Sequence, residues 1–148
     1  MKEIHTAIDV AAPKERVWSV LTTFASYPDW NPLLRSVAAE LRPGATVALT
    51  ATVGQRSFDV NATMLRVTPG RELRWAGPNS RLQGIVFRGE HYFIIEELTP
   101  DRVRFIHGER FEGLAIPFMG GWLDRNLAPA YEAMNVALQR RAEASPSR

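Results

Sequence analysis

GIVFRGEHYFIIEELTPDRVRFIHGERFEGL, residues 84–114, sets two long alternating segments side by side around one turn. In the first, Gly84 to Leu98, the odd positions Ile85, Phe87, His91, Phe93 and Ile95 carry less charge than the even positions Arg88, Glu90 and Glu96. In the second, Val103, Phe105, His107, Glu109 and Phe111 alternate with Arg104, Ile106, Gly108, Arg110 and Glu112. A period of two marks a half-buried strand, so both odd sets are expected to face inward. Residues paired across an antiparallel hairpin share a face, and a one-residue slip turns every side chain over, so odd must pair with odd. A three-residue turn, Pro100-Asp101-Arg102 closed by Thr99 and Val103, meets that condition; a two-residue turn does not. It would place Phe93 opposite Glu109, Ile95 opposite His107 and His91 opposite Phe111. Two histidines and a glutamate then share an apolar face beside a helix-like tail. The expectation is a curved sheet closing over a helix to leave an internal, mostly apolar pocket.

The rest of the chain fits around this hairpin. Glu3 to Val10 alternates as a first strand with Ile4, Thr6, Ile8 and Val10 on one side. Pro13 then opens a short helix, Lys14 to Leu21, in which Val17, Val20, Leu21 and Phe24 fall at helical spacing and Lys14, Glu15 and Ser19 face water. The segment Tyr27-Pro28-Asp29-Trp30-Asn31-Pro32 holds two prolines and cannot be one uninterrupted helix. Strands are expected over 36–41, 46–53, 58–67 and 72–76, separated by Pro43-Gly44, Gly54-Gln55, Pro69-Gly70 and Gly77-Pro78. From Ile116 onward, Phe118, Met119, Trp122, Leu123, Leu127, Tyr131, Met134 and Leu138 recur every three or four residues, the apolar face of a long terminal helix. Pro129 predicts a kink, or a break between segments near 119–127 and 130–143. Gly120-Gly121 gives that helix either a mobile entrance or only a loose first turn.

The order strand, helix, strand meander, long helix is an α+β arrangement with one side of an antiparallel sheet covered by helix. At 148 residues one domain is expected, 1–148, with 144–148 as a disordered tail. Hydrophobic residues make up 45% and charged residues 23%, ordinary globular usage. The absence of cysteine removes disulfides, thiolate metal sites and thiol nucleophiles. The N-terminus lacks the apolar run of a signal peptide and no segment reaches the length of a membrane span, so cytoplasmic residence without membrane insertion is the expectation. The pI is 9.4, yet the net charge is only +2 and the arginines are scattered, Arg140-Arg141 being the adjacent basic pair. Without a basic run interleaved with aromatics, nucleic-acid binding is set aside.

The stretches from Ile8 to Leu21 and Phe24 to Pro32, then Gly89-Glu90-His91-Tyr92-Phe93 and Phe105 to Leu114, in this order, resemble the START/Bet v 1-like (SRPBCC) superfamily of helix-grip proteins. The likeness is particularly to its small bacterial polyketide cyclase/dehydrase-like members, and it runs over essentially the whole chain. What it implies is a helix-grip fold, a curved antiparallel sheet wrapped around a long C-terminal helix, with a short helix pair after the first strand and an internal cavity. The superfamily reuses that cup for lipids, hormones, polyketides and aromatic substrates, so the fold implies no single activity.

His91, His107 and Glu109 are the candidate catalytic residues, because inward-facing ionisable groups need partners or a ligand to offset desolvation. A carboxylate beside imidazoles can form a general base for proton abstraction next to a carbonyl, dehydration or aldol-type ring closure. Equally, Glu109 and one histidine can simply satisfy each other across the strands. Trp30 and Asn31 lie in a loop that in the resembled family sits near the cavity mouth, where they could cap a ligand or plug the helix–sheet junction. Met64, Trp75, Phe93, Phe111, Phe118, Trp122 and Leu127 complete the candidate ligand contacts, each of them core unless a cavity exists. No HExxH or other short ligand motif supports a metal, and no GxGxxG, P-loop or GxSxG supports a cofactor or a serine nucleophile. The expected partner is a small hydrophobic or aromatic molecule, bound by a monomer or homodimer acting as carrier, sequestering protein or sensor. A cyclase-, dehydratase- or isomerase-type enzyme and an interaction module with a filled cavity are the alternatives.

Overall fold

Seven antiparallel strands form one sheet in the order β1-β7-β6-β5-β4-β3-β2 in the computed structural model, which describes residues 1–144. They are β1 (Lys2–Val10), β2 (Leu34–Ala38), β3 (Thr46–Val53), β4 (Arg56–Thr68), β5 (Glu72–Gly77), β6 (Arg88–Thr99) and β7 (Arg102–Glu112). From β2 to β7 each strand pairs with the next, and β1 closes against β7. The helices are α1 (Lys14–Thr22), α2 (Tyr27–Trp30) after a 3₁₀ turn at Phe24–Ser26, α3 (Arg81–Val86), α4 (Ile116–Trp122) and α5 (Ala128–Glu143). The sheet curls around α5, and the α+β helix-grip architecture stands as expected. Most of the tail expected at 144–148 lies outside the described residues.

The inner face of the sheet carries the core. Val17, Val20 and Leu21 of α1 are buried with Phe24, and α5 inserts Tyr131, Met134, Leu138 and Ala142. Each large apolar side chain so buried is worth about 1.5–3 kcal/mol. β1 lies beside β7 with Thr6 opposite His107 and Ile4 opposite Glu109, so the first strand and the last helix close on the same part of the sheet.

Four expectations are corrected. Residues 84–86 do not begin β6: Ser80 Oγ accepts from the Gln83 backbone N–H and starts a helical turn, leaving Ile85 exposed instead of inward. The β6–β7 register is offset by two from the expected one, with His91 opposite Glu109, Phe93 opposite His107 and Ile95 opposite Phe105. Thr99 pairs with Arg102 across a two-residue turn, and an irregularity between Glu97 and Thr99 leaves Leu98 as the extra residue. That bulge restores the odd-with-odd parity a two-residue turn alone would break. β2 runs over Leu34–Ala38, earlier than the strand expected at 36–41, because Asn31 Oδ1 accepts from the N–H groups of Leu33 and Leu34 and turns the chain into the strand at once. Pro129 does not break the C-terminal helix. It cannot donate to the Arg125 carbonyl, and the preceding turn widens into a π-turn at Leu123–Leu127 in which the Ala128 N–H reaches the Leu123 carbonyl. Gly120 and Gly121 lie within α4.

On the convex face Tyr92 crosses directly over Gly108. A Cβ there would fall 2.3 Å from Tyr92 Oη and 2.5 Å from the Ile4 carbonyl oxygen, which belongs to backbone and cannot step aside. The Gly108→Ala variant is therefore expected to lose about 1–3 kcal/mol of stability, read as a lower urea midpoint with unchanged slope. An unchanged midpoint would show that β1 and Tyr92 can move apart.

Candidate functional site

Six side chains from four elements meet under α5. β1 supplies Thr6, β6 His91, β7 His107 and Glu109, and α5 Tyr131 and Asn135. Tyr131 and Asn135 are one helical turn apart, so both point at the sheet.

The donors and acceptors run in one direction. The Thr6 hydroxyl donates to the His107 carbonyl at 2.7 Å, so it can only accept from Asn135 Nδ2 at 2.8 Å. Asn135 therefore turns Oδ1 towards His107 Nδ1, 2.9 Å away, and that nitrogen carries the proton. His107 Nε2 is then a lone pair, accepting from His91 Nε2–H at 2.7 Å. His91 Nδ1 lies 3.2 Å from Glu109 Oε1, which also accepts from the Tyr131 hydroxyl. The imidazole and the carboxylate thus sit side by side, the ring held by His107 and the carboxylate by the Tyr131 hydroxyl.

Burial reinforces that assignment. His107 is fully buried, and desolvation, followed by the charge of His91, holds its proton affinity well below that of an ordinary histidine. Burial, with the negative charge of Glu109 added, holds the Tyr131 hydroxyl well above the usual phenol range, so it stays a donor. The Tyr131 ring stacks on His107 with centroids 4.5 Å apart and planes within 7°, and Trp75 and Phe93 pack on His91. Gly89 makes room for the carboxylate: a Cβ at that position would sit 1.9 Å from Glu109 Oε2.

This cluster forms the polar end of a cavity of about 630 Å³ between the β2–β5 half of the sheet and the helices α3, α4 and α5. Of the residues expected at a ligand, Trp75, His91, Glu109, Phe111, Trp122 and Leu127 line it. Phe87, Met119 and Tyr131 join them. The others expected there do not line it. His107, Phe93 and Met64 lie behind the wall, completely or almost completely buried, the first as the support of His91 and the other two as core. Phe118 is 90% exposed, because the turn of α4 that sends Met119 and Trp122 to the cavity sends it outward. Trp30 packs edge-on against Tyr27 at the helix–sheet junction, and Asn31 commits its Oδ1 to the turn into β2, while Trp30 Nε1 and Asn31 Nδ2 are buried without a hydrogen-bond partner among the described residues. Sequence reasoning passed over Tyr131, Asn135, Thr6 and Gly89. The available signal was Asn135, an amide on the apolar stripe between Met134 and Leu138 and one turn beyond Tyr131. Among the described residues no group of three or more His, Cys, Asp or Glu side chains converges on a point where a metal ion could sit, and His91 and His107 are bonded to each other.

The family model described as polyketide cyclase / dehydrase and lipid transport matches residues 1–143. Among curated proteins no match was found. The Zhui aromatase/cyclase from Streptomyces sp. R1128 is similar in structure, with a TM-score of 0.78 at 19% identity over 96% of this chain and 93% of that one. A START superfamily protein from Mycobacterium smegmatis gives 0.73 at 19% identity over 95% and 97%. Norcoclaurine synthase from Thalictrum flavum, in complex with dopamine and hydroxybenzaldehyde, gives 0.73 at 13% over 99% and 89%. At these identities the likeness establishes the shared fold.

The hydrogen-bond direction is directly measurable. Long-range nitrogen–proton NMR spectra are expected to show His107 as the neutral Nδ1–H tautomer at about pH 6, near the ordinary histidine midpoint; a doubly protonated His107 there would contradict the chain of donors. Unfolding returns His107 to an ordinary affinity, so below about pH 6.5 the unfolded chain binds the extra proton and acidification lowers stability. The contribution is complete above that pH and is lost below it at up to about 1.4 kcal/mol per pH unit, which urea midpoints measured across the range would register.

Proposed function

Because the chain belongs to the polyketide cyclase / dehydrase and lipid transport family, we propose that it holds a small hydrophobic or amphipathic molecule in the cavity beneath α5, as a carrier, sequestering protein or sensor. The observation that carries this reading is the cavity itself, about 630 Å³ and walled mainly by apolar side chains with one polar cluster at its end. Pockets of this size and composition suit small organic molecules, apolar walls giving affinity and a few polar groups giving orientation. The open volume weighs against an interaction module whose cavity is filled by Trp30, Trp75, Phe111 and Trp122. Trp30 lies elsewhere, and the other three leave the space open as they line it.

One observation favours a second reading, an enzyme of cyclase, dehydratase or isomerase type. The Glu109 carboxylate lies beside His91 at the cavity wall, the pair held between the buried His107 and the Tyr131 hydroxyl. A base of that kind can take a proton from carbon next to a carbonyl and return it elsewhere on the same molecule. In this reading Glu109 is the catalytic residue and His91 positions it; His107, named with them from sequence, acts only through His91.

Native mass spectrometry of the purified protein, set against its denatured mass and an organic extract, is expected to show a stoichiometric small molecule that leaves on denaturation, or else an empty protein that binds N-phenyl-1-naphthylamine with one-to-one saturation. Ala51→Trp, which fills the cavity from β3, should weaken that binding by about tenfold or more while leaving the fold intact. Neither a bound molecule nor saturable binding of the fluorophore would defeat the ligand-binding reading.

A further inference from the structure

The polar end of the cavity has a fixed hydrogen-bond polarity. Glu109 Oε1 is occupied by the Tyr131 hydroxyl and by His91 Nδ1, whereas Oε2 has no protein partner among the described residues and lies against Gly89 at the cavity wall. As part of a carboxylate, Oε2 is an acceptor. The donors of the cluster itself are committed: His91 Nε2 to His107 and the Tyr131 hydroxyl to Oε1, while His91 Nδ1 faces that same oxygen. Asn79, further along the wall, accepts from Thr63 and donates to the Ala62 carbonyl, and Asn61, Ser80, Gln83 and Trp122 also line the cavity with side-chain donors. The charged side chains lining the cavity are Asp59 and Glu109, both acidic, and no lysine or arginine lines it among the described residues.

From this we infer that the cavity selects its ligand by the sign and polarity of the head group: it takes a hydrophobic body whose polar end donates a hydrogen bond, a hydroxyl or an ammonium, and rejects carboxylates, sulfonates and phosphates. Glu109 is the residue that sets the preference, with His91, Tyr131 and Gly89 holding its Oε2 towards the ligand. The inference rests on the ligand-binding reading above and narrows it. An anionic head would face the Glu109 carboxylate with no lysine or arginine on the cavity wall among the described residues to offset it, and like charges brought together in a poorly solvated site cost several kcal/mol. A donor head instead satisfies an acceptor that otherwise lacks a protein partner. Free fatty acids and lipids with phosphate heads are thereby excluded as occupants of this end of the cavity.

The test is a series of probes with one body and different heads: 2-methylnaphthalene, 2-naphthol, 2-naphthylmethylammonium and 2-naphthoate, titrated by calorimetry into the full chain near neutral pH. At least one of the two donors, 2-naphthol or the ammonium, is expected to bind about tenfold or more tightly than naphthoate, and Glu109→Gln should narrow the gap by weakening the ammonium and admitting the carboxylate. Naphthoate binding as tightly as both donors overturns the inference, as does a gap unchanged in folded Glu109→Gln. The comparison within the wild-type chain needs no variant, so it decides the matter even where Glu109→Gln fails to fold. If 2-methylnaphthalene binds while naphthoate leads the series, only the head-group rule falls. If no probe binds at all, the cavity reading falls and this inference with it.

Discussion

The hydrogen bond from His107 Nδ1 to Asn135 Oδ1 fixes both the seat of the terminal helix and the polarity of the site. It joins β7 to α5 in the interior, where an unmet donor or acceptor is costly, so the helix is held at one rotation and one height against the sheet. Apolar packing by Met134 and Leu138 supplies attraction but tolerates sliding. The amide does not, because its other end is bonded to Thr6 of β1 and Thr6 in turn to the His107 backbone. The loop of bonds ends on a carbonyl, which can only accept, and every proton in the network is oriented from that end.

Seen along the sheet, the same helix divides the interior into two unlike halves. Against β1 and the inner parts of β6 and β7, α5 packs on aromatic and aliphatic side chains such as Ile4, Phe93 and Phe105. Beneath β2 to β5 the cover passes to α4 and the π-turn, and there the space stays open. The π-turn follows from Pro129: without a donor for the usual bond, the chain widens by one residue, and Leu123 turns into the core while Leu127 and Trp122 face the cavity. A sequence feature that looks like a helix breaker thus acts as a device for re-aiming side chains.

How much of this could be read from the residues divides along the same physical line. Period-two alternation in 87–111 identified the inner face, and parity placed His91, His107 and Glu109 on it together, because face is a property of local backbone geometry. The pairing itself lies two residues from the one the parity rule with a three-residue turn predicts, since the turn and the bulge at Leu98 are chosen jointly by backbone geometry that composition does not specify. Residues 84–86 were read as strand for a related reason: Ile-Val-Phe suits a strand, but the Ser80 cap and its neighbours prefer one turn of helix, and the tertiary setting decides. Asn31 and Phe118 were placed near the ligand because a loop and a helix face were known only as such. Which turn of α4 points inward depends on the seat of α5, and that is fixed by Asn135, a residue whose role appears only when β1 and β7 are brought beside it.

The network also bears on whether the polar groups are there for stability alone. A purely structural cluster closes on itself, each donor meeting an acceptor, because any remainder is a penalty with no return. Here closure is complete on the side of the sheet and the helix: Thr6, Asn135, His107 and His91 are all spent on one another. Within this cluster, among the described residues, the acceptor left without a protein partner is Glu109 Oε2, and it is at the cavity wall, in a place that exists because position 89 has no side chain. A carboxylate oxygen turned to the cavity, with its other oxygen held by the Tyr131 hydroxyl, is placed to meet a partner from outside the chain, and on that ground the proposed site weights Glu109 above the two histidines that first mark the strand pair.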